Sequence, residues 1–172
     1  MEIRAARVAD AARMGEVHVR SWQAAYRGQM PQDHLDTLDP ARSARMWERR
    51  LAAVDWTRGG CLVAADEAGV AGFADFGPAR DDDADPALTG QVTAIYLAPA
   101  AWSTGCGRAL MTGALVHLAG AGYQDATLWV LDTNARARSF YAKAGFAADG
   151  AVKLDERDGF TLRELRYRRP LP

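Results

Sequence analysis

Hydrophobic positions along this chain switch between helical spacing and strand-like runs, and the switches predict where elements begin and end. Residues 3–5 form a short first strand, and Asp10 then stands where a helix N-cap is expected. The apolar face of that helix is predicted from residues at helical spacing, which are Met14, Val17, Ser21, Trp22 and Ala25. Gly28 and Pro31 end this helix, and Asp39-Pro40 begins a second one, because Asp is a good N-cap and Pro suits the first helical position.

After residue 60 the pattern changes to buried strands separated by turns. The apolar runs predict strands at residues 61–65, 70–76, 91–97, 127–131 and 162–167, with the start of another at 146–148. Helical spacing follows Gly107 and returns between residues 134 and 144, whereas residues 80–90 form a polar, Asp-rich loop and Asp158-Gly159 a turn. This order predicts the α/β class, with one domain (residues 1–172) built on a central mixed sheet flanked by helices.

Composition narrows the classes of function. The chain has 172 residues, 49% of them hydrophobic, which is enough for one buried core, and a net charge of −1 from 21 basic and 22 acidic residues. That balance argues against binding nucleic acid in bulk. Cys61 and Cys106 fit neither a metal-ligand spacing nor a disulfide framework, so no metal site is predicted. No apolar run reaches the roughly 20 residues that a membrane span needs. We therefore expect a cytoplasmic protein with no membrane partner.

Gly105-Cys106-Gly107 is the first candidate site. It follows an apolar strand and Pro99 and precedes a helix, so its backbone N–H groups could wrap a pyrophosphate. A Gly-x-Gly alone also fits a simple turn before a buried helix. The dinucleotide-binding motif would need a third glycine, and a Walker loop would need Gly-Lys-Ser/Thr, and neither is present.

A second motif makes the interpretation specific. Residues 134–146 contain Asn-x-x-Ala-x-x-Phe-Tyr-x-Lys-x-Gly-Phe, and residues 99–107 contain Pro-x-x-x-x-x-Gly-x-Gly. Together and in this order they resemble the GCN5-related N-acetyltransferase (GNAT) superfamily. The resemblance covers residues 3–146 in element order and is strongest from residue 92 to residue 146.

The resemblance implies an acetyl-CoA site in a splayed sheet, where two parallel strands part to admit the pantetheine arm. Backbone groups of Ile95, Tyr96 and Leu97 would pair with that arm, and the Leu97 N–H would polarise the thioester carbonyl. The pyrophosphate would be held by N–H groups of one loop, from Ser103, Thr104, Gly105, Cys106, Gly107 and Arg108.

Two side chains complete the implied donor site. Asn134 would hydrogen-bond the cofactor arm, and Tyr141 would face its sulfur as a general acid. Each has another interpretation, because Asn134 is also a good helix N-cap and Tyr141 could be a core aromatic residue. Cys106 is expected to fill space rather than act as a nucleophile.

The chain departs from the family pattern at two places. Trp102, Ser103 and Thr104 stand where the family has polar and basic residues, so the loop would bind phosphate mainly through its backbone, with Arg108 supplying charge. Gln91 stands where many members have a Glu that acts as a base, and Gln cannot accept a proton at neutral pH. Candidates for a substitute base are Glu16, His18 and the acidic loop 81–85, and an amine that arrives already neutral would need no base.

The acceptor side is less determined. Trp22 and Tyr26 could form an aromatic wall for an amine beside Gln91, or Trp22 could belong to the core. The segment 160–165 could pair across a homodimer or complete the sheet internally.

The resemblance implies transfer of an acetyl group to the primary amine of a small molecule or peptide by direct attack in a ternary complex. The alternatives are an acyl-CoA-binding sensor or scaffold that has lost catalysis, and transfer of a longer acyl group.

Overall fold

Seven strands and five α-helices make up the fold in a computed structural model that describes residues 1–157 and 159–172. The strands are β1 (Glu2–Ala5), β2 (Gly60–Asp66), β3 (Gly69–Pro78), β4 (Thr89–Leu97), β5 (Asp125–Leu131), β6 (Ala147–Arg157) and β7 (Phe160–Pro170). The helices are α1 (Ala11–Ala25), α2 (Gln32–Asp36), α3 (Pro40–Ala52), α4 (Cys106–Gly120) and α5 (Ala135–Lys143), with 3-10 turns at Val8–Asp10 and Pro99–Ala101. No helix in these described ranges is long and apolar enough to cross a membrane.

Two details differ from the prediction. α2 was not predicted, because its five residues are too few to show a helical period. Asp10 precedes α1, but its side chain does not cap that helix. Its carboxylate instead accepts hydrogen bonds from the Arg4 guanidinium at 2.8 Å and from the Arg7 N–H at 2.7 Å, and the Arg4 hydrogen bond lowers the pKa of Asp10. Of the predicted Asp158-Gly159 turn, Asp158 lies outside the described residues.

The sheet has the order β1-β2-β3-β4-β5-β7-β6, and its only parallel pair among the described strands is β4 with β5. That pair is held by three residue partners, Thr89 with Asp125, Gly90 with Ala126 and Gln91 with Thr127. Beyond Gln91 each strand follows its other neighbour, since β4 stays with β3 as far as Leu97 and β5 stays with β7 as far as Leu131. The middle of the sheet therefore opens as a wedge, as a splayed sheet requires.

A helical layer covers each face of the sheet. α4 packs on one face, in a core that includes Phe76, Met111, Ala114, Leu118 and Leu128. α1 and α3 pack on the other face, in a core that includes Met14, Val17, Trp47, Leu51 and Phe73. Burial of these large apolar side chains supplies the main stabilisation of the fold, at about 1.5–3 kcal/mol for each side chain that is fully buried.

The contact between α1 and α3 depends on Gly15. A Cβ at this position would lie 2.5 Å from the Pro40 carbonyl oxygen and 2.6 Å from the Ala44 backbone nitrogen. Only a residue without a side chain lets the two helix backbones approach so closely. Gly15 thus sets the position of α1, which carries Trp22 and is followed directly by Tyr26.

The C-terminal strand β7 is an internal strand of the sheet. It pairs with β5 along one edge and with β6 along the other. The segment 160–165 therefore completes the sheet within the chain, which is one of the two arrangements that the sequence left open.

Candidate functional site

The parting of β4 and β5 opens a cleft of about 1130 Å³. Ligand sites in proteins have about 300–1,000 Å³, so this cleft has room for a large ligand or for two ligands together. The predicted site residues that line it are Trp22, Tyr26, Gln91, Ile95, Tyr96, Leu97, Ser103, Thr104, Gly105, Gly107, Arg108, Asn134 and Tyr141. Cys106 does not line the cleft, because its side chain is buried in the core beneath the loop. Only the Cys106 backbone N–H remains for the predicted role.

The backbone of β4 presents N–H groups to this cleft. The Ala98 N–H donates to a carbonyl of β3 at 2.8 Å, so the Ala98 backbone faces β3. Backbone groups alternate along an antiparallel strand, so Tyr96 also faces β3, whereas Ile95 and Leu97 face the opposite side. Since β5 pairs with β4 only as far as Gln91, the N–H groups of Ile95 and Leu97 have no β5 residue opposite them.

The loop between β4 and α4 has the geometry of an anion site. Ser103 and Gly105 have positive φ angles, of 63° and 90°, and α4 begins at the next residue, Cys106. A Cβ on Gly105 would have nothing within 4 Å, so that side of the loop is open. The Thr104 hydroxyl donates to the Ala101 carbonyl at 2.8 Å and is engaged within the loop. Free N–H groups at the first turn of α4, and the positive end of its dipole, favour an anion here.

Arg136 supplies a positive charge that the sequence analysis missed. Its guanidinium carbon lies 4.2 Å from the centroid of the Trp102 ring, and the Trp102 indole N–H donates to the Leu97 carbonyl at 3.2 Å. Trp102 is therefore a stacking surface for the Arg136 cation. The signal in the sequence is the position of Arg136, two residues after the predicted N-cap Asn134.

Asn134 stands at the start of α5 and is a helix cap. Its side-chain oxygen accepts the Ala137 N–H at 3.0 Å. The same side chain lies beside the Tyr26 hydroxyl on α1, and burial raises the pKa of Tyr26. Asn134 therefore lies where the donor and acceptor sides of the cleft meet.

Tyr141 projects into the cleft from α5. Its ring packs edge-on against Phe140, at 5.3 Å between centroids, and against Phe146, at 6.3 Å. Burial is the main reason that the pKa of Tyr141 is raised, and the neighbouring Tyr26 and Tyr96 raise it further. The hydroxyl therefore stays protonated at neutral pH and can donate a proton or a hydrogen bond.

Aromatic residues line the opposite wall of the cleft. Trp22 and Tyr26 pack edge to face with their ring centroids 5.0 Å apart. Tyr96 stacks on His18 at 4.4 Å, and burial raises the pKa of Tyr96 to about 12. The Trp22 indole N–H is buried without an acceptor in hydrogen-bond geometry among the described residues. Uncharged aromatic faces of this kind suit an apolar or cationic group.

The sequence matches the Acetyltransferase (GNAT) family over residues 19–146, which is more than half of the chain. The chain belongs to this family. The match confirms the predicted superfamily, the predicted fold and the assignment as an acetyltransferase that uses acetyl-CoA.

Two curated relatives are similar along most of their length. The uncharacterized N-acetyltransferase YuaI of Bacillus subtilis is 33% identical over 133 residues, which cover 77% of this chain and 72% of the relative. The probable N-acetyltransferase Rv2775 of Mycobacterium tuberculosis is 30% identical over 152 residues, which cover 87% of this chain and 82% of the relative.

Solved structures share the same fold. The PaiA N-acetyltransferase from Thermoplasma acidophilum, in complex with coenzyme A, has a TM-score of 0.73 and 20% identity, with 98% of each chain covered. YncA from Salmonella typhimurium, with its cofactor acetyl-CoA, has a TM-score of 0.74 and 22% identity, with 100% of this chain and 94% of that one covered.

The residues that line the cleft between β4 and β5 fit acetyl-CoA. An anion loop with Arg136 and Arg108 beside it lies at one end, and a strand edge with free N–H groups leads away from it. No group of His, Cys, Asp and Glu side chains in residues 1–157 and 159–172 is arranged to hold a metal ion.

Two of the candidate bases lie outside the GNAT cleft. His18 Nδ1 is 2.8 Å from the Ser43 hydroxyl and accepts the Trp47 indole N–H at 3.3 Å, and burial lowers the pKa of His18 to about 4. Its imidazole is therefore neutral, and its contacts with Ser43 and Trp47 hold it between α1 and α3, where it does not line the cleft. Glu16 pairs with Arg13 on α1, away from the cleft.

The third candidate, the acidic loop, does reach the cleft. Gln91 is buried, and its side-chain N–H donates to Asp81 at 3.2 Å. The other oxygen of Asp81 accepts the Trp129 indole N–H at 2.9 Å. Asp82 and Asp85 are exposed and line no part of the cleft. The loop is thus a solvated turn for much of its length, with one carboxylate directed into the site.

Proposed function

We propose that this acetyltransferase moves the acetyl group of acetyl-CoA to the primary amine of a small molecule or peptide by direct attack in a ternary complex. The observation that carries the proposal is the continuity of the cleft, which runs from the anion loop to the aromatic wall of α1. Donor and acceptor can occupy it together, so no acetylated enzyme residue is needed. Burial raises the pKa of the Cys106 thiol, and this makes Cys106 a poor nucleophile and further supports direct attack.

The donor is held mainly by backbone groups in this proposal. The N–H groups of Ile95 and Leu97 bind the pantetheine arm, and Tyr96 contributes its ring, because its backbone faces β3. With acetyl-CoA bound, the Leu97 N–H would donate to the thioester carbonyl oxygen and would stabilise the negative charge that develops there. Bound acetyl-CoA supplies a thioester, whose carbonyl carbon the amine attacks.

The diphosphate occupies the loop before α4. The backbone N–H groups from Ser103 to Arg108 donate to its oxygens, and two guanidinium groups, those of Arg108 and Arg136, balance its charge. At the Trp102 departure, the indole ring stacks with Arg136 and keeps that guanidinium group beside the loop. Lys143 also lines the cleft on α5 and adds positive charge.

Tyr141 acts as the acid for the leaving thiolate. Its raised pKa keeps the hydroxyl protonated at neutral pH, so it has a hydrogen to offer to the leaving thiolate. Asn134 hydrogen-bonds the arm through the part of its amide that does not cap α5. On the acceptor side, Trp22 and Tyr26 enclose the apolar part of the amine beside Gln91.

The test measures release of free CoA thiol with a panel of primary amines: an alkyl monoamine, a diamine and a peptide with a free N-terminus. We expect thiol release that depends on the amine, together with a product that carries one added acetyl group by mass spectrometry. Acetyl-CoA binding by calorimetry without amine-dependent release from any panel member would overturn the proposal and favour the sensor or scaffold. Propionyl-CoA in the same assay tests transfer of a longer acyl group.

A further inference from the structure

Gln91 leaves the start of β4 without a carboxylate, yet a carboxylate lies at hydrogen-bond distance from it. We propose that Asp81 supplies the missing group: it binds the ammonium form of the acceptor beside Gln91 and takes the proton that must leave before attack. This inference rests on the proposed function and names a residue from the loop between β3 and β4, outside both motifs that identify the family.

Three contacts fix Asp81 at this point. Gln91 Nε2 donates to one carboxylate oxygen at 3.2 Å, and Trp129 Nε1 donates to the other at 2.9 Å. Arg166 Nη1 lies 3.5 Å from the oxygen that Gln91 contacts. A carboxylate offers about four lone-pair sites, so these contacts leave capacity for an ammonium group or a water molecule. The Asp81 side chain is 14% exposed, and it lines the cleft.

Arg166 shares its charge among three carboxylates, of which Asp81 is the most distant. Its guanidinium group donates two hydrogen bonds to Asp83, at 2.6 and 2.8 Å, and a third to Asp149 at 2.7 Å. The distance to Asp81 is the longest of its carboxylate contacts. Arg166 thus serves mainly two other acids, and the Asp81 charge remains available to a cation in the cleft.

Other acidic groups near the cleft are less suited to this role. Asp75 is buried behind β4, where it accepts a hydrogen bond from Thr93 at 2.6 Å and pairs with Arg50 at 3.0 Å. Glu164 lines the cleft on β7, but it makes no hydrogen bond to Gln91. Asp81 alone combines exposure to the cleft with contact to Gln91 among the described residues.

The step balances in atoms and charge. An alkylammonium ion gives one proton to the Asp81 carboxylate, directly or through one water molecule, and becomes the neutral amine. The amine nitrogen then forms the new N–C bond while the C–S bond breaks. The attacking nitrogen then loses a second proton. Tyr141 takes up this proton in place of the one that it gives to the thiolate. The products are the amide, free CoA thiol and one proton that Asp81 returns to solvent.

The experiment compares four variants with the wild type: Asp81→Asn, Asp82→Asn, Glu164→Gln, and the double variant Asp81→Asn with Gln91→Glu. Asp82→Asn is the matched control, since it removes the same charge from the next residue of the loop, which is exposed. The double variant exchanges the amide and the carboxylate across the same hydrogen bond. We measure kcat/KM for the amine, the Kd of acetyl-CoA, and binding of the same amine to protein saturated with free CoA.

We expect Asp81→Asn to lower kcat/KM for the amine by about 100-fold and to leave the Kd of acetyl-CoA unchanged. The kcat/KM of the double variant should be about 10-fold higher than that of Asp81→Asn. The kcat/KM of Asp82→Asn should stay within about 2-fold of the wild-type value. A loss confined to the amine, with the Kd of acetyl-CoA unchanged, is a result that a general disruption of the cleft would not give.

Two results would overturn the inference. One is an unchanged kcat/KM in a folded Asp81→Asn variant. The other is a loss with Glu164→Gln that exceeds the loss with Asp81→Asn. If the wild type turns over no amine, the proposed function fails separately. Amine binding to the CoA-loaded protein then decides the role of Asp81, and equal binding by wild type and Asp81→Asn would reject it.

Discussion

The two halves of the cleft are built in different ways. The half proposed to bind the donor, formed by β4, the loop before α4 and α5, presents mainly backbone groups of consecutive residues. The acceptor half, formed by α1, the loop between β3 and β4, and β7, uses side chains from segments far apart in the sequence. A ligand common to a whole family can be bound by main-chain geometry, whereas the partner that differs among members is bound by side chains that can change independently.

Substitution of Tyr141 should give the largest effect and should separate chemistry from binding within the donor half. We expect Tyr141→Phe to lower kcat by about 100-fold, because the thiolate then leaves without an acid, and to leave the Kd of acetyl-CoA unchanged. Steady-state kinetics and calorimetry measure the two quantities. Tyr123→Phe is the control: Tyr123 is also buried, but its hydroxyl bonds to Arg58 outside the cleft. An equal loss of kcat in both variants would refute the acid role.

Substitution of Gly15 tests whether the position of α1 affects binding of the amine without affecting binding of acetyl-CoA. Gly15→Ala forces its Cβ against the α3 backbone, so we expect a loss of about 1–3 kcal/mol in the free energy of unfolding. The displaced α1 should also raise KM for the amine more than the Kd of acetyl-CoA. Thermal melting and kinetics measure both. Gly120→Ala, where the added Cβ meets nothing within 4 Å, should keep the wild-type stability. An equal rise in both constants would contradict the division of the cleft.

Arg136 tests how much of donor binding comes from side-chain charge. We expect Arg136→Met to raise the Kd of acetyl-CoA by about 10-fold, since a charge-assisted phosphate contact is lost while the apolar stem can still pack on Trp102. Dephospho-CoA and CoA titrations by calorimetry show which phosphate is involved. The matched control is Arg163→Met, because Arg163 pairs with Asp132 outside the cleft. A Kd that does not change would assign phosphate binding to the backbone alone.

The smallest expected effect lies in the acceptor half. Asp83→Asn removes the main partner of Arg166, which should then turn toward Asp81 and weaken its hold on a cation. We expect KM for the amine to rise about 3-fold, with no change in the Kd of acetyl-CoA, as a partly exposed charge contact of under 1 kcal/mol predicts. A fall in KM would show that Arg166 does not compete for Asp81.

The sequence was informative where structure is local. Gly105 and Gly107 predicted the loop, and Asn134 and Tyr141 predicted the helix beside it. Both predictions were possible because each motif lies within one strand–loop–helix segment. The loop that contains Asp81 was only one of several candidates for the base. Its hydrogen bond with Gln91 could not be predicted, because it depends on the path of the whole loop. The Arg136 contact was missed for the same reason: its platform, Trp102, lies on another element.

The short parallel pairing of β4 with β5 has a consequence for exchange of backbone hydrogens with solvent. A central strand is ordinarily the slowest part of a sheet to exchange. Here the amides of Ile95 and Leu97 lie in the middle of the sheet and still face open space, because pairing stops at Gln91. They should take up deuterium quickly in the free protein, unlike the β3-facing amide of Tyr96, and become protected when a ligand strand covers them. A pattern of fast and slow exchange at alternate residues of one central strand would report occupancy of the site directly.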